Sequence, residues 1–332
     1  MMLIKLTSFI TKCLRYLPTE LSHYLALESL KVSNKIGINL IKDSKRSNIE
    51  CFGINFKNKL GLAGGLDKNG DYIQSLSSLG FSFLELGTVT PVHQSGNAKP
   101  RLFRDRSEEA LINSMGFNNK GVDYLIKNIS NSSRICPIAV SIGKNSKTPL
   151  DLALEDYMIC FEKAYSVADF ITINISSPNT MNLRDLGSKE YLPTLLKSLK
   201  DKQLNMAKID HYKPLIVKLS PDINNVEIDS IVNTILDNGI DGIIATNTSI
   251  HHDHHHKPSG ISGKPLFTLS TEILQKIRNM VGKDFPLIAS GGVMTKHDYL
   301  EKLDSGADLV QIYSGLIYKG PELIQDILSV SN

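Results

Sequence analysis

Eight short apolar runs, each closing on polar or glycine residues, recur through the chain beyond residue 50. They read LGLAGG near 60, FLELGTVT near 84, CPIAVSIG near 138, FITINI near 171, LIVKLS near 216, GIIATNT near 243, PLIASGG near 287 and LVQIYSG near 310. Between several of them lie stretches with the helical period, such as YMICFEKAYSVA and TEILQKIRNM. Eight strands, each followed by a crossover, predict an α/β fold of the (β/α)8 TIM barrel type rather than a doubly wound sheet. No GxGxxG fingerprint opens the first unit, which weighs against a dinucleotide-binding fold.

The chain has enough material for such a domain, with 332 residues, 41% of them apolar and 21% charged. Its net charge of +3 is spread without a run of like charges, so no nucleic-acid partner is expected. Cys13, Cys51, Cys136 and Cys160 have neither CxxC nor metal-ligand spacing, which predicts a reducing compartment, no disulfide framework and no metal. No apolar run approaches the roughly eighteen residues that span a bilayer. Lys5 and Lys12 interrupt the N-terminal stretch too early for a signal-peptide core.

Residues 1–45 read as a separate front end, and 46–332 as the barrel domain. At about 100° per residue, Leu6, Phe9, Ile10, Cys13, Leu14 and Leu17 share one helix sector, and Lys5, Lys12 and Arg15 share a roughly opposite one. Pro18 fits the first turn of a second, short helix carrying Leu21, Tyr24 and Leu25. Two readings stay open: a helical cap packed on the barrel, or an interfacial helix whose apolar face enters the lipid headgroup boundary.

Catalytic groups of such barrels come from the C-terminal strand ends, and polar residues cluster there. Asp67 and Lys68 follow the first strand, Thr88 ends the second, Lys144 and Asn145 follow the third, and NISSPNT ends the fourth. Lys218 closes the fifth, Thr246, Asn247 and Thr248 the sixth. Gly291-Gly292 and Ser314-Gly315 after the last two strands suit a phosphate held by backbone N–H groups. Gly64-Gly65 lets a flat ring approach the backbone, because no Cβ intervenes. Phosphate and flat ring together point to a mononucleotide such as FMN, and Lys218, inside an apolar strand, is placed to stabilise charge on a reduced flavin.

The motifs GLAGGLDKNG, ELGTVTP, GNAKPRLFR, INSMGFNNKG, NISSPNT, KLSPD, ATNTS, SGGV and QIYSGLIYKGP, in this order from about residue 50 onward, closely resemble the quinone-reducing, membrane-associated class of dihydroorotate dehydrogenases. The resemblance implies oxidation of (S)-dihydroorotate to orotate in pyrimidine biosynthesis, with one FMN per chain and a membrane quinone as acceptor. It carries the catalytic base to Ser177 and the proton path to Thr180 and Phe117; soluble classes hold cysteine at the base position. Substrate contacts carry over to Lys68, Asn113, the backbone of Ser114, Met115, Gly116 and Phe117, and Asn174, Asn179, Asn247 and Thr248. Asparagine suits a cyclic imide because one side chain both donates and accepts. FMN contacts carry over to Ala63, Gly64, Gly65, Leu66, Asp67, Lys68, Thr88, Ser141, Asn174, Lys218, Thr246, Gly263, Gly292, Tyr313 and Ser314. Arg104 and His23 match the quinone tunnel. The class implies a peripheral protein on the cytoplasmic face of the inner membrane, with a monomeric state left open.

Two features depart from the family pattern. Ser141 stands where an asparagine is usual, which replaces an amide by one hydroxyl. The loop HHDHHHKPSG holds five histidines in six residues and reads as a solvated loop. The competing function is a soluble FMN oxidoreductase acting on another pyrimidine-like ring, with the N-terminal helices a mere cap; an adaptor that lost catalysis would not need Ser177, Lys218 and the asparagine set.

Overall fold

The computed structural model describes residues 7, 10–38, 41, 47–180, 183–188, 190–252 and 259–330. Leu6, Phe9 and Lys5 of the front-end pattern, and His254, His255 and His256 of the histidine loop, lie outside the described residues.

Numbered along the chain, β1 (Ile49–Cys51) and β2 (Ile54–Phe56) form an antiparallel hairpin. A closed barrel follows, made of β3 (Leu60–Leu62), β4 (Phe83–Val89), β7 (Ile138–Ile142), β8 (Phe170–Asn174), β9 (Leu215–Leu219), β10 (Gly242–Ala245), β12 (Leu287–Ser290) and β13 (Leu309–Ile312). Every neighbouring pair runs parallel, and β13 closes on β3 through the Val310↔Leu60 register. These are the eight runs read from the sequence. Short strands β5 (Leu102–Asp105), β6 (Ala110–Asn113) and β11 (Gly260–Gly263) build a separate antiparallel sheet that the hydrophobic pattern did not reveal.

Alternation along each strand sorts the barrel interior into layers. The lowest layer is apolar: Phe83, Ala139, Phe170, Ile216, Ile244, Ile288 and Leu309 fill it, with Cys51 and Phe56 of the hairpin packed beneath. Phe83 lies edge-on to Phe56 and Phe170, with centroids 5.5 and 5.7 Å apart. A Cβ on Gly61 would come within 2.1 Å of the Phe83 ring, so glycine is what lets this phenylalanine plug the barrel. Two residues further along the strands the inward groups turn polar: Glu85, Ser141, Thr172, Lys218, Ser290 and Gln311, all buried. The apolar plug thus gives way to a polar layer, and the site rests on it.

The helix Thr19–Lys35 begins directly after Pro18, one residue later than expected; proline lacks an N–H and leaves no unmet donor at the cap. It spans 17 residues, longer than the short helix expected. Tyr72 Oη donates to Glu28 (2.7 Å), and Arg101 meets Glu20 (3.3 Å), tying this helix to the barrel. Its other face stays in solvent, with Tyr24 57% and Val32 56% exposed. Among the described residues, no helix is long and apolar enough to cross a membrane.

Candidate active site

The C-terminal strand ends open into a cavity of about 1060 Å³, its mouth included, in the size range of a cofactor with substrate. Ala63, Gly64, Gly65, Lys68, Thr88, Asn174, Lys218, Thr246, Gly263, Gly292, Tyr313 and Ser314 of the expected flavin set line it. So do Asn113, Met115, Gly116, Phe117, Ser177, Asn179, Asn247 and Thr248 of the substrate and proton set. The sheet β5–β6–β11 forms part of the wall through Leu102, Leu111 and Ser262.

The asparagines form two hydrogen-bonded groups on the cavity wall. Asn174 Nδ2 donates to Thr88 Oγ1 (2.8 Å), and Asn179 Nδ2 donates to Asn113 Oδ1 (2.8 Å). Asn247 Nδ2 donates to Ser176 Oγ (3.0 Å), while Ser176 bonds Asn174 Oδ1 (3.2 Å). Ser176, to which the sequence assigned nothing, therefore couples two of these side chains. Ser177 is buried on the cavity wall, and among the described residues its hydroxyl meets only the Asn179 N–H, at a long 3.4 Å, which leaves its proton uncommitted. Asn179 Oδ1 and Gln311 Oε1 are buried acceptors without a partner among the described residues. The N–H groups of Gly291, Gly292 and Val293 likewise meet no acceptor there. Buried polar groups are seldom left unpaired, so these match a polar ligand with an anionic end.

Lys218 differs from its expected role as a lone ammonium. Its Nζ lies 3.1 Å from Glu85 Oε2, in a pair buried on the interior of the barrel. Glu85 Oε2 also accepts from Gln311 Nε2 (2.8 Å) and from the Gly64 N–H (3.1 Å). A Cβ on Gly64 would sit 2.8 Å from the Glu85 carboxylate, so the space that this glycine opens is taken by Glu85. Gly65, at φ +103°, does need glycine. Lys68 Nζ donates to Gly65 O (2.8 Å); burial and the nearby Arg101 lower its pKa to about 8.

A family model described as dihydroorotate dehydrogenase matches residues 46–330. The chain belongs to the dihydroorotate dehydrogenase family. Proteins named dihydroorotate dehydrogenase (quinone) from Haemophilus ducreyi and Acinetobacter baylyi are similar to it at 45% and 46% identity, covering 96% and 94% of this chain and 97% and 96% of theirs. A crystal structure of DHODH from Eimeria tenella in complex with ferulenol superposes with a TM-score of 0.83 at 30% identity, covering 93% of this chain and 89% of that one.

Against the dihydroorotate dehydrogenase pattern, five expected contact residues stand off the cavity. Asp67 turns away and accepts from the N–H groups of Asn69 (3.3 Å), Asp71 (3.0 Å) and Tyr72 (2.8 Å), which makes it the organiser of the loop after β3. Ser141 lies in the polar layer, where its hydroxyl bonds Thr88 Oγ1 (2.8 Å); it supports Thr88 and, through it, Asn174. The Ser114 N–H and carbonyl are engaged by Arg101 O (2.8 Å) and Asn97 Nδ2 (2.9 Å). Thr180 is buried with its Oγ1 unpartnered among the described residues, and Leu66 faces a second cavity.

That second cavity, about 1050 Å³, is largely apolar and runs between the Thr19–Lys35 helix and the barrel. His23 and Arg104 line it, and Leu102 belongs to both cavities, so the two adjoin. Arg104 donates to Arg15 O (2.7 Å) and Ser22 Oγ (3.4 Å). Burial and the Lys68 charge lower the His23 pKa to about 4, so the imidazole is neutral near pH 7.

Proposed function

We propose that the chain oxidises (S)-dihydroorotate to orotate in pyrimidine biosynthesis, using FMN bound over the polar layer of the barrel and a membrane quinone as final acceptor. Family membership carries the reaction; the residue roles rest on geometry and on the motifs. What FMN supplies when bound is a hydride acceptor whose electrons leave to quinone. The glycine turn at Gly291-Gly292, with Ser314 and Gly263, would hold its phosphate, and Ala63 to Gly65, Thr88, Lys218 and Thr246 its ring.

The observation that carries the reading is one cavity in which Ser177, Lys68 and the asparagines 113, 174, 179 and 247 converge above the glycine turns. The asparagines orient a cyclic imide through paired donors and acceptors. Lys68 meets the substrate carboxylate. Ser177 takes the ring proton and passes it on by way of Thr180, with Phe117 shielding the path from bulk water. An oxidoreductase specific for a ring without a carboxylate would leave Lys68 unmatched, which favours dihydroorotate over the alternative substrate.

Membrane attachment is supported by apolar groups the helices leave in solvent. Tyr16 is 76% exposed, and Leu17, Leu21, Tyr24, Leu25 and Val32 are also exposed, as are the cations Lys12 and Lys35 near them by sequence. The apolar cavity containing His23 and Arg104 gives a quinone a route to the flavin edge. We infer a peripheral protein on the cytoplasmic face of the inner membrane.

The test is anaerobic reduction. Dihydroorotate bleaches the flavin of the purified protein, and added quinone restores its colour. Ser177→Ala binds substrate within a few-fold of wild type but reduces the flavin on the order of 10² to 10⁴ times more slowly. A flavin-loaded protein that dihydroorotate does not bleach overturns the substrate; an unchanged rate in the variant removes Ser177 as base.

A further inference from the structure

Lys302, on the helix Lys296–Asp304, is 0% exposed, and no carboxylate lies within ion-pair distance of it among the described residues. Lysine is rarely buried so completely without a partner. Its Nζ donates to Ser270 Oγ (2.7 Å), Thr271 Oγ1 (2.7 Å) and, at 3.4 Å, Phe267 O. Thr271 Oγ1 donates to Phe267 O (2.7 Å), and the single Ser270 hydroxyl proton has both Phe267 O (3.0 Å) and Gly291 O (3.1 Å) in reach. Three acceptors for three N–H bonds describe an ammonium. The Phe267 ring, 4.8 Å from Nζ, favours that charge, but two features of the position oppose it. Burial disfavours it, lowering the pKa to about 7 against the pull of Glu301 and Asp298. Ser270 and Thr271 also lie near the start of the helix Phe267–Val281, the positive end of its dipole.

What would balance this cation lies on the other side of the glycine turn. Ser270 Oγ faces the carbonyl of Gly291 at 3.1 Å, and a trans peptide directs its N–H opposite to its C=O. The Gly292 N–H is therefore turned away from Ser270, and both glycines line the cavity. Glycine is required at 292, where φ is +78° and a Cβ would fall 2.3 Å from the Phe267 backbone.

We propose that Lys302 is a positioning residue for the phosphate of FMN: through Ser270 it fixes the Gly291-Gly292 peptide with its N–H toward the cavity, and the bound phosphate balances its buried charge. The inference rests on the FMN reading above and adds the residue that gives the site its preference for a phosphorylated flavin.

The experiment titrates full-length protein, freed of flavin, with FMN and with riboflavin, which has the same ring and no phosphate. Wild type binds FMN more tightly. Lys302→Met weakens FMN by about tenfold or more, with riboflavin within twofold of wild type. Inorganic phosphate raises the unfolding temperature of the flavin-free wild type and not that of the variant. Ser270→Ala, which keeps the lysine but removes the tether together with one of the three acceptors of its Nζ, loses a smaller part of the same preference and carries the test if Lys302→Met does not fold. An FMN-to-riboflavin preference unchanged in the variants overturns the role of Lys302 and leaves the FMN reading standing. A wild type that binds both flavins equally overturns the FMN reading, and this inference with it.

Discussion

On the proposed reading, Ser177 and Lys68 carry the chemistry as single residues. Lys68 is partly buried, and burial together with Arg101 brings its pKa down to about 8. Its ammonium is present below that pH and lost above it, so attraction for a substrate carboxylate falls as pH rises through 8. We expect the dissociation constant for dihydroorotate or orotate to be flat from pH 6 to 7 and to rise by up to tenfold per unit above 8. Lys68→Met should bind weakly at every pH with no such rise; a wild-type curve flat to pH 9.5 would show that Lys68 does not meet the carboxylate. The motif residues around Ser177 were legible because each follows a strand end in a recognisable string. Glu85, Gln311 and Ser176 were not, for a physical reason. Glu85 reads as one acid in an apolar run, and its partners Lys218 and Gln311 stand 133 and 226 residues away in sequence. Lys218 looked like a lone cation for the same reason.

At the level of elements, strands buried on both faces announced themselves as apolar runs, and all eight barrel strands were visible. Several barrel strands are as short as those of the hairpin and of the β5–β6–β11 sheet, but the hairpin strands and β5 are only partly buried and mix polar with apolar residues, so no continuous apolar run marks them. The loops after β8, β9 and β10 meet in another feature hidden from sequence. Arg184 donates to Ser176 O (3.2 Å), Thr248 O (3.1 Å) and Asp222 Oδ2 (2.7 Å). Asp222 also accepts from Ser249 Oγ and from the Ile250 N–H (2.9 Å). This buried carboxylate thus locks three loops around the backbone next to Ser177. Asp222→Ala should leave flavin content near wild type and slow flavin reduction roughly 10- to 100-fold, since small misplacement of a reacting group is costly. Stopped-flow absorbance reads the rate directly, and a variant as fast as wild type would show that the loops hold their places without Asp222.

At the scale of the whole molecule two cavities, one polar and one apolar, adjoin at Leu102. On the reading proposed above, substrate and quinone have separate doors, as a water-soluble metabolite and a lipid-soluble acceptor require. Removing the front end would test this badly, because Leu66, Leu76 and Leu79, which line the second cavity beneath the helices, would be laid bare. Changing its exposed face is cleaner. Leu21 and Leu25 are one helical turn apart and 45% and 36% exposed, so charges there leave the packed side intact. Leu21→Glu with Leu25→Glu removes apolar area and adds repulsion from anionic lipid. We expect sedimentation with anionic vesicles to drop at least about tenfold, each leucine being worth roughly 1.5 kcal/mol or more when fully buried. Flavin reduction by dihydroorotate should be unchanged, because both positions lie outside the polar cavity. Turnover with a membrane-dissolved quinone should fall, while turnover with a short-chain soluble quinone is kept. Vesicle binding equal to wild type would return the helices to the role of a cap packed on the barrel.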